Sequence, residues 1–271
     1  MKNLKKLPLI LSILSILSLA SFITPVNAEV KVVASIKPLH SLASYLMDGV
    51  GKPDLIVEGY GSPHGFSMKP SHAKILQNAD LIFWVGEDLE IFLEKPLSSI
   101  AKKAEKIELM EIKGLNVLKF RERNIFDKHD HDDHDDHGKK EDDHDDHEHD
   151  DHGKKEEHAD HDDHDGHEGH AHGEYDPHIW LDPMNAKVIL NEMVEHLIEN
   201  DAKNASKYKS NLKNAFKDID KLTADVKADL SKSTASIVFH DAYQYFEERF
   251  DINILGAFTV NTDVMPGAEQ L

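Results

Sequence analysis

The sequence predicts an α/β fold with a largely parallel sheet. Two observations carry this: short apolar runs alternate with helical stretches, and Pro, Gly and Asp punctuate their boundaries. A third sets the organisation, a single long amphipathic stretch separating one alternating block from the start of another.

"EVKVVASI" (29–36) opens as a strand. "KPLHSLASYLMDGV" (37–50) follows with a proline start, apolar residues at helical spacing and a glycine stop. "PDLIVE" (53–58) is a second strand, "KPSHAKILQNA" (69–79) a second helix, "DLIFWV" (80–85) a third strand and "EKIELM" (105–110) a fourth. After "HIWLDP" (178–183), Asp182 and Pro183 form the cap and first turn of a helix reaching residue 200. Tyr208, Leu212, Phe216, Ile219, Leu222, Val226 and Leu230 then recur every three or four residues, which predicts one helix over 204–232. At 1.5 Å per residue it extends roughly 40 Å, enough to bridge two lobes. "SIVFH" restarts a strand, "DAYQYFEERF" a helix and "INILGAF" another strand. Only 31 residues follow His240, too few for a second block the size of the first, so a truncated form is expected.

The first 28 residues, "MKNLKKLPLILSILSILSLASFITPVNA", place lysines ahead of an apolar stretch and small residues ending at Ala28, which reads as a cleaved secretory signal. No later apolar run is long enough to span a membrane. With no cysteine, disulfides and lipid attachment through an N-terminal Cys are excluded. These features predict an exported protein of the periplasm with no membrane span after signal cleavage.

Residues 129–172 hold 20 Asp and Glu against four Lys, a net of −16 of the chain's −20. The acidity therefore belongs to one segment, and nothing basic is concentrated enough to suggest nucleic acid as a partner. That segment contains no large apolar side chain and repeats "HDDHGKKE" at 134–141 and 149–156, so it is expected to be a disordered His/Asp-rich loop over 127–173. Its fourteen histidines are His129, His131, His134, His137, His144, His147, His149, His152, His158, His161, His164, His167, His170 and His172. Closely spaced imidazoles and carboxylates capture divalent cations weakly and many at a time, an accessory role in capture, buffering or sensing.

Six histidines lie elsewhere. His196 sits mid-helix among Glu192, Glu195 and Glu199 and reads as a surface residue, as do the helical His40 and His72. His64, His178 and His240 share a different setting, each in or beside a loop next to a predicted strand or helix start. Loops at the carboxyl ends of strands converge on a crevice in open α/β sheets, so the three imidazoles can meet there. Zinc takes neutral imidazole nitrogens in a four-coordinate shell, with copper or nickel competing, whereas manganese and magnesium favour oxygen. Asp176, Asp182 and Asp241 are the nearest candidates for orienting carboxylates, although Asp182 and Asp241 equally suit helix caps. Trp180 and Phe239 read as core.

"SPHGFSMKPS", "HIWLDP", "VFHDAYQYFEERF" and "FTVNTDVMPGAEQL" together resemble the periplasmic zinc-binding, solute-binding proteins of zinc ABC importers, in the cluster A-I metal-binding family. The resemblance runs from about residue 30 to 271, with a His-rich insertion in the family's place. It implies a two-lobe metal-binding solute-binding protein fold with a long connecting helix, the second lobe incomplete here. In the same terms 29–203 form the N-terminal lobe, 204–232 the rigid connector, and 233–271 the start of the C-terminal lobe.

The resemblance further implies a non-enzymatic carrier, Zn(II) as the transported ligand, a monomer, and an inner-membrane ABC permease as partner. His64 and His178 match the first lobe's metal-binding histidines and His240 the second lobe's. Manganese-binding relatives place a carboxylate at that third position. Two departures stand out: Pro63 replaces a glutamate that some relatives carry before the first histidine, and the chain does not reach an aspartate used later in the second lobe. Other functions weighed are a periplasmic zinc buffer or metallochaperone, which explains the repeat but not the separate blocks, and a zinc hydrolase, which lacks a placed glutamate base.

Overall fold

The computed structural model describes residues 29–121, 173–230 and 235–259. Residues 1–28, expected to be a signal, the fourteen histidines of the acidic segment and the last twelve residues lie outside them.

The first block is a parallel sheet of β1 (Val32–Ala34), β2 (Asp54–Leu55), β3 (Leu81–Trp84) and β4 (Glu105–Glu108), in the order β2-β1-β3-β4. Every residue of β1 and β3 is buried, because helices cover both faces and the central strands need apolar side chains on each. Val32, Ala34, Leu81 and Phe83 point to one core, shared with α1 (Lys37–Leu46) and α4 (Pro183–Asn200). Val33, Ile82 and Trp84 point to the other, shared with α2 (Pro70–Asn78) and α3 (Glu87–Ser99).

Prolines open α1, α2 and α4, where a missing N–H costs nothing. Asp182 caps α4 as the sequence predicts, its Oδ1 accepting from Met184 N at 2.8 Å. The sequence pattern did not reveal α3: its backbone breaks at Glu90 (φ −123°, ψ 48°), and Pro96 interrupts it again.

The long helix is α5 (Ala205–Leu230), 26 residues and therefore about 39 Å. Its N-terminal half lies on α1 and α4 through Tyr208, Asn211 and Ala215. Asn211 Nδ2 donates to Leu46 O at 2.7 Å and Asp48 O at 2.9 Å, satisfying carbonyls at the end of α1. Beyond Ile219 the apolar stripe loses its cover, and Leu222 is exposed.

The second block is a strand–helix–strand unit: β5 (Ser236–His240), α6 (Gln244–Phe250) and β6 (Ile254–Thr259), the two strands pairing in parallel. Asp251 ends α6 in the left-handed region (φ 51°). Phe239, expected in the core, is 60 % exposed: with Ile237 it faces away from the first block, while the alternate residues Val238 and His240 face inward.

Candidate metal centre

His64, His178 and His240 come together. His64 lies in the loop between β2 and α2, His178 immediately precedes the short 3₁₀ turn Ile179–Leu181, and His240 is the last residue of β5. Ring centroids are 5.0 Å apart for His178 and His240, 5.1 Å for His64 and His240, and 5.6 Å for His64 and His178. One ring nitrogen from each lies within 4.8 Å of the others, and among the described residues no further carboxylate or histidine joins this group.

Spacing supplies a test of metal fit. The Nε2 atoms of His178 and His240 are 3.2 Å apart. A tetrahedral zinc with Zn–N of about 2.0–2.1 Å holds its ligand nitrogens ~3.3 Å apart. The pair thus already has the separation of two ligands on one ion.

Asp176 prepares His178 for this role. Its Oδ1 accepts from the backbone N of His178 at 2.9 Å and from Nδ1 at 2.7 Å. An ionised carboxylate only accepts, so Nδ1 carries the proton and Nε2 presents its lone pair to the cluster. Both residues are buried, whereas His64 and His240 are half-buried, so the group opens on one side to solvent.

The other two carboxylates behave differently. Asp241 is buried beside the group, and burial pushes its carboxyl up to about 6, with Arg121 opposing that shift and Asp176 adding to it. It does not cap α6, which begins three residues later with Tyr243 at the cap. Asp182 caps α4 and also accepts a bidentate pair from Arg249, Nε to Oδ1 at 2.7 Å and Nη2 to Oδ2 at 2.6 Å. Of the three carboxylates, Asp176 is the one that contacts a ring of the group, while Asp182 is paired with Arg249.

Trp180 is only partly core: its ring lies 5.3 Å from that of His178, and with Lys37, Tyr60 and Pro63 it lines a cleft of about 290 Å³.

Among the described residues, the other three histidines make contacts within the fold. His72 is buried rather than on the surface, since its Nδ1 accepts from Lys69 N at 3.1 Å and closes the first turn of α2. His40 Nε2 donates to Pro53 O at 3.0 Å. His196 is less exposed than its acidic neighbours suggested: Nδ1 lies 2.7 Å from Glu105 Oε1 and Nε2 3.2 Å from Glu192 Oε1, while Asn200 Nδ2, donating to Glu105 Oε2 at 2.8 Å, ties α4 to the edge strand β4.

Nothing in the sequence pattern singles out Tyr245 and Arg249 as neighbours of this group. Tyr245 is 1 % exposed, and its hydroxyl donates to Asp176 O at 2.6 Å while accepting from Leu118 N at 3.1 Å. The available signal was their spacing of four, which puts them on one face of the helix that follows His240.

A family described as zinc-uptake complex component A, periplasmic, matches residues 32–271. The high-affinity zinc uptake system protein ZnuA of Brucella abortus (strain 2308) is 47 % identical over 242 residues, covering 89 % of this chain and 70 % of that protein. Its counterpart in Yersinia pestis is 33 % identical over 246 residues, covering 90 % and 70 %. A crystal structure of ZnuA aligns with a TM-score of 0.64 at 17 % identity, covering 90 % of this chain and 75 % of that one. The Mn-bound periplasmic metal-binding protein of Candidatus Liberibacter asiaticus aligns at 0.62 and 18 %, covering 89 % and 72 %. At these identities the structural likeness shows the fold alone. With a family match over nearly the whole chain, the protein belongs to the periplasmic component A family of zinc-uptake complexes, non-enzymatic transport components that carry zinc.

Proposed function

We propose that His64, His178 and His240 hold the transported zinc ion between the β1–β4 lobe and the β5–α6–β6 unit, and that the loaded protein hands it to an inner-membrane ABC permease. The observation that carries this is the convergence of three imidazoles from separate segments, with ligand atoms within 4.8 Å. Three nitrogen donors select zinc over manganese or magnesium. The relatives' names, high-affinity zinc uptake system proteins, support the same cargo.

In this reading residues 1–28 are a cleaved export signal, 29–203 the first lobe, 204–232 the connecting helix, and 233–271 part of the second lobe. The fourteen histidines of residues 129–172 form an accessory, low-affinity collector. Ordering a flexible chain around an ion costs entropy, so each of its sites is weaker than a preformed one. Calorimetry on protein lacking 129–172 tests the division of labour. One tight zinc per molecule is expected, and loss of all tight binding would move the function to the repeat.

A further inference from the structure

His178 and His240 belong to different blocks of the fold, so something must fix the distance between them. We infer that Tyr245 and Arg249 are positioning residues that do so, by bracing the 176–182 segment against α6. The inference rests on the three-histidine reading above.

Both ends of the segment carrying His178 are held by the same helix. At one end the Tyr245 hydroxyl donates to Asp176 O at 2.6 Å, and Asp176 is the residue whose carboxylate orients the His178 ring. At the other end Arg249 grips both oxygens of Asp182, at 2.7 and 2.6 Å. Between them lie His178 and the single 3₁₀ turn Ile179–Leu181. Tyr245 and Arg249 are four apart on α6, so one helix face makes both contacts.

The helix that makes this brace begins four residues after His240. Any shift of α6 relative to 176–182 therefore changes the His178–His240 separation. The loop is closed by Leu118, which donates its N–H to the Tyr245 hydroxyl at 3.1 Å and accepts from Asp176 N at 2.8 Å. The hydroxyl thus serves as donor and acceptor at once, a double role that phenylalanine cannot fill. Contacts from Asn116 to Glu248 (3.3 Å) and from Gln244 to the Lys119 carbonyl (3.1 Å) dock the same helix on residues 116–119 but do not reach 176–182.

The test uses the full chain with Zn(II) competition titration and the visible spectrum of its Co(II) form, which reports ligand geometry. Tyr245→Phe is expected to bind zinc about tenfold more weakly, the scale of losing a group that orients a ligand, and to shift and weaken the Co(II) bands. Arg249→Gln should do the same and carries the test if Tyr245→Phe does not fold. Tyr208→Phe is the control for mere stability: that tyrosine is equally buried and donates to Asp201 at 2.8 Å, in contact with none of the three histidines. It should leave affinity and spectrum unchanged. Wild-type affinity and spectrum in both brace variants would overturn the inference, as would equal changes in Tyr208→Phe. If His178→Ala and His240→Ala also bind like wild type, the three-histidine reading itself fails, an outcome distinct from failure of the brace alone.

Discussion

The Nε2 atoms of His178 and His240 face each other at 3.2 Å, one from the segment ahead of α4 and the other from the last residue of β5. Two nitrogens from elements so far apart in the chain sit at ligand spacing because the fold, not local sequence, sets the distance. Replacing His64, His178 or His240 by Ala should therefore weaken zinc binding by more than ~100-fold each, beyond the usual effect of an orienting residue. Competition titration checks this, and a single unchanged variant removes that residue from the site.

Asp176 fixes the tautomer of His178 through two contacts from one carboxylate oxygen. Asp176→Asn keeps the shape but offers a neutral amide, so the proton on Nδ1 is less firmly held. Zinc affinity should drop about 10- to 100-fold with the fold retained. Isothermal titration at a pH where histidine is neutral measures it.

Much of this was legible beforehand. β1 and β3 read as strands because both faces are buried and the apolar runs are unbroken. His64, His178 and His240 stood out by residue type and by lying in or beside loops. What failed needs contacts to see. His72 reads as a surface residue because its capping bond to Lys69 leaves no trace in periodicity, and α3 does not stand out because Glu90 and Pro96 break the helical pattern. Tyr245 resembles any buried aromatic until its hydroxyl partners are known.

Glu90 is fully buried, its Oε2 accepting from Val85 N at 2.7 Å and Gly86 N at 3.1 Å. Its other oxygen and the nearby Ser35 hydroxyl are buried without a well-formed hydrogen bond. Burial raises the carboxyl from 4.5 to about 7, the hydrogen bonds opposing it and Glu108 adding to it. The folded state therefore holds this proton more tightly than the unfolded chain. The associated stability is present below the unfolded value and lost as pH rises through about 7. Between pH 5 and 8 wild type should lose about 2–3 kcal/mol relative to Glu90→Gln, from 1.36 kcal/mol per unit. Urea midpoints at the two pH values decide it, and parallel losses would contradict it.

Asn211 joins α5 to the end of α1 through two carbonyls. Asn211→Ala should lower unfolding free energy by about 1–3 kcal/mol, the cost of leaving buried acceptors unpaired. Zinc affinity should stay unchanged, since neither helix end contributes a histidine to the group. Thermal melts alongside a zinc titration separate the two effects.

The most direct measurement is the zinc X-ray absorption spectrum of protein lacking 129–172, loaded with one equivalent of Zn(II). Three imidazole nitrogens at about 2.0–2.1 Å are expected, falling to two in His240→Ala. An oxygen-dominated shell without imidazole scattering, or a spectrum indifferent to His240→Ala, would contradict the three-histidine centre.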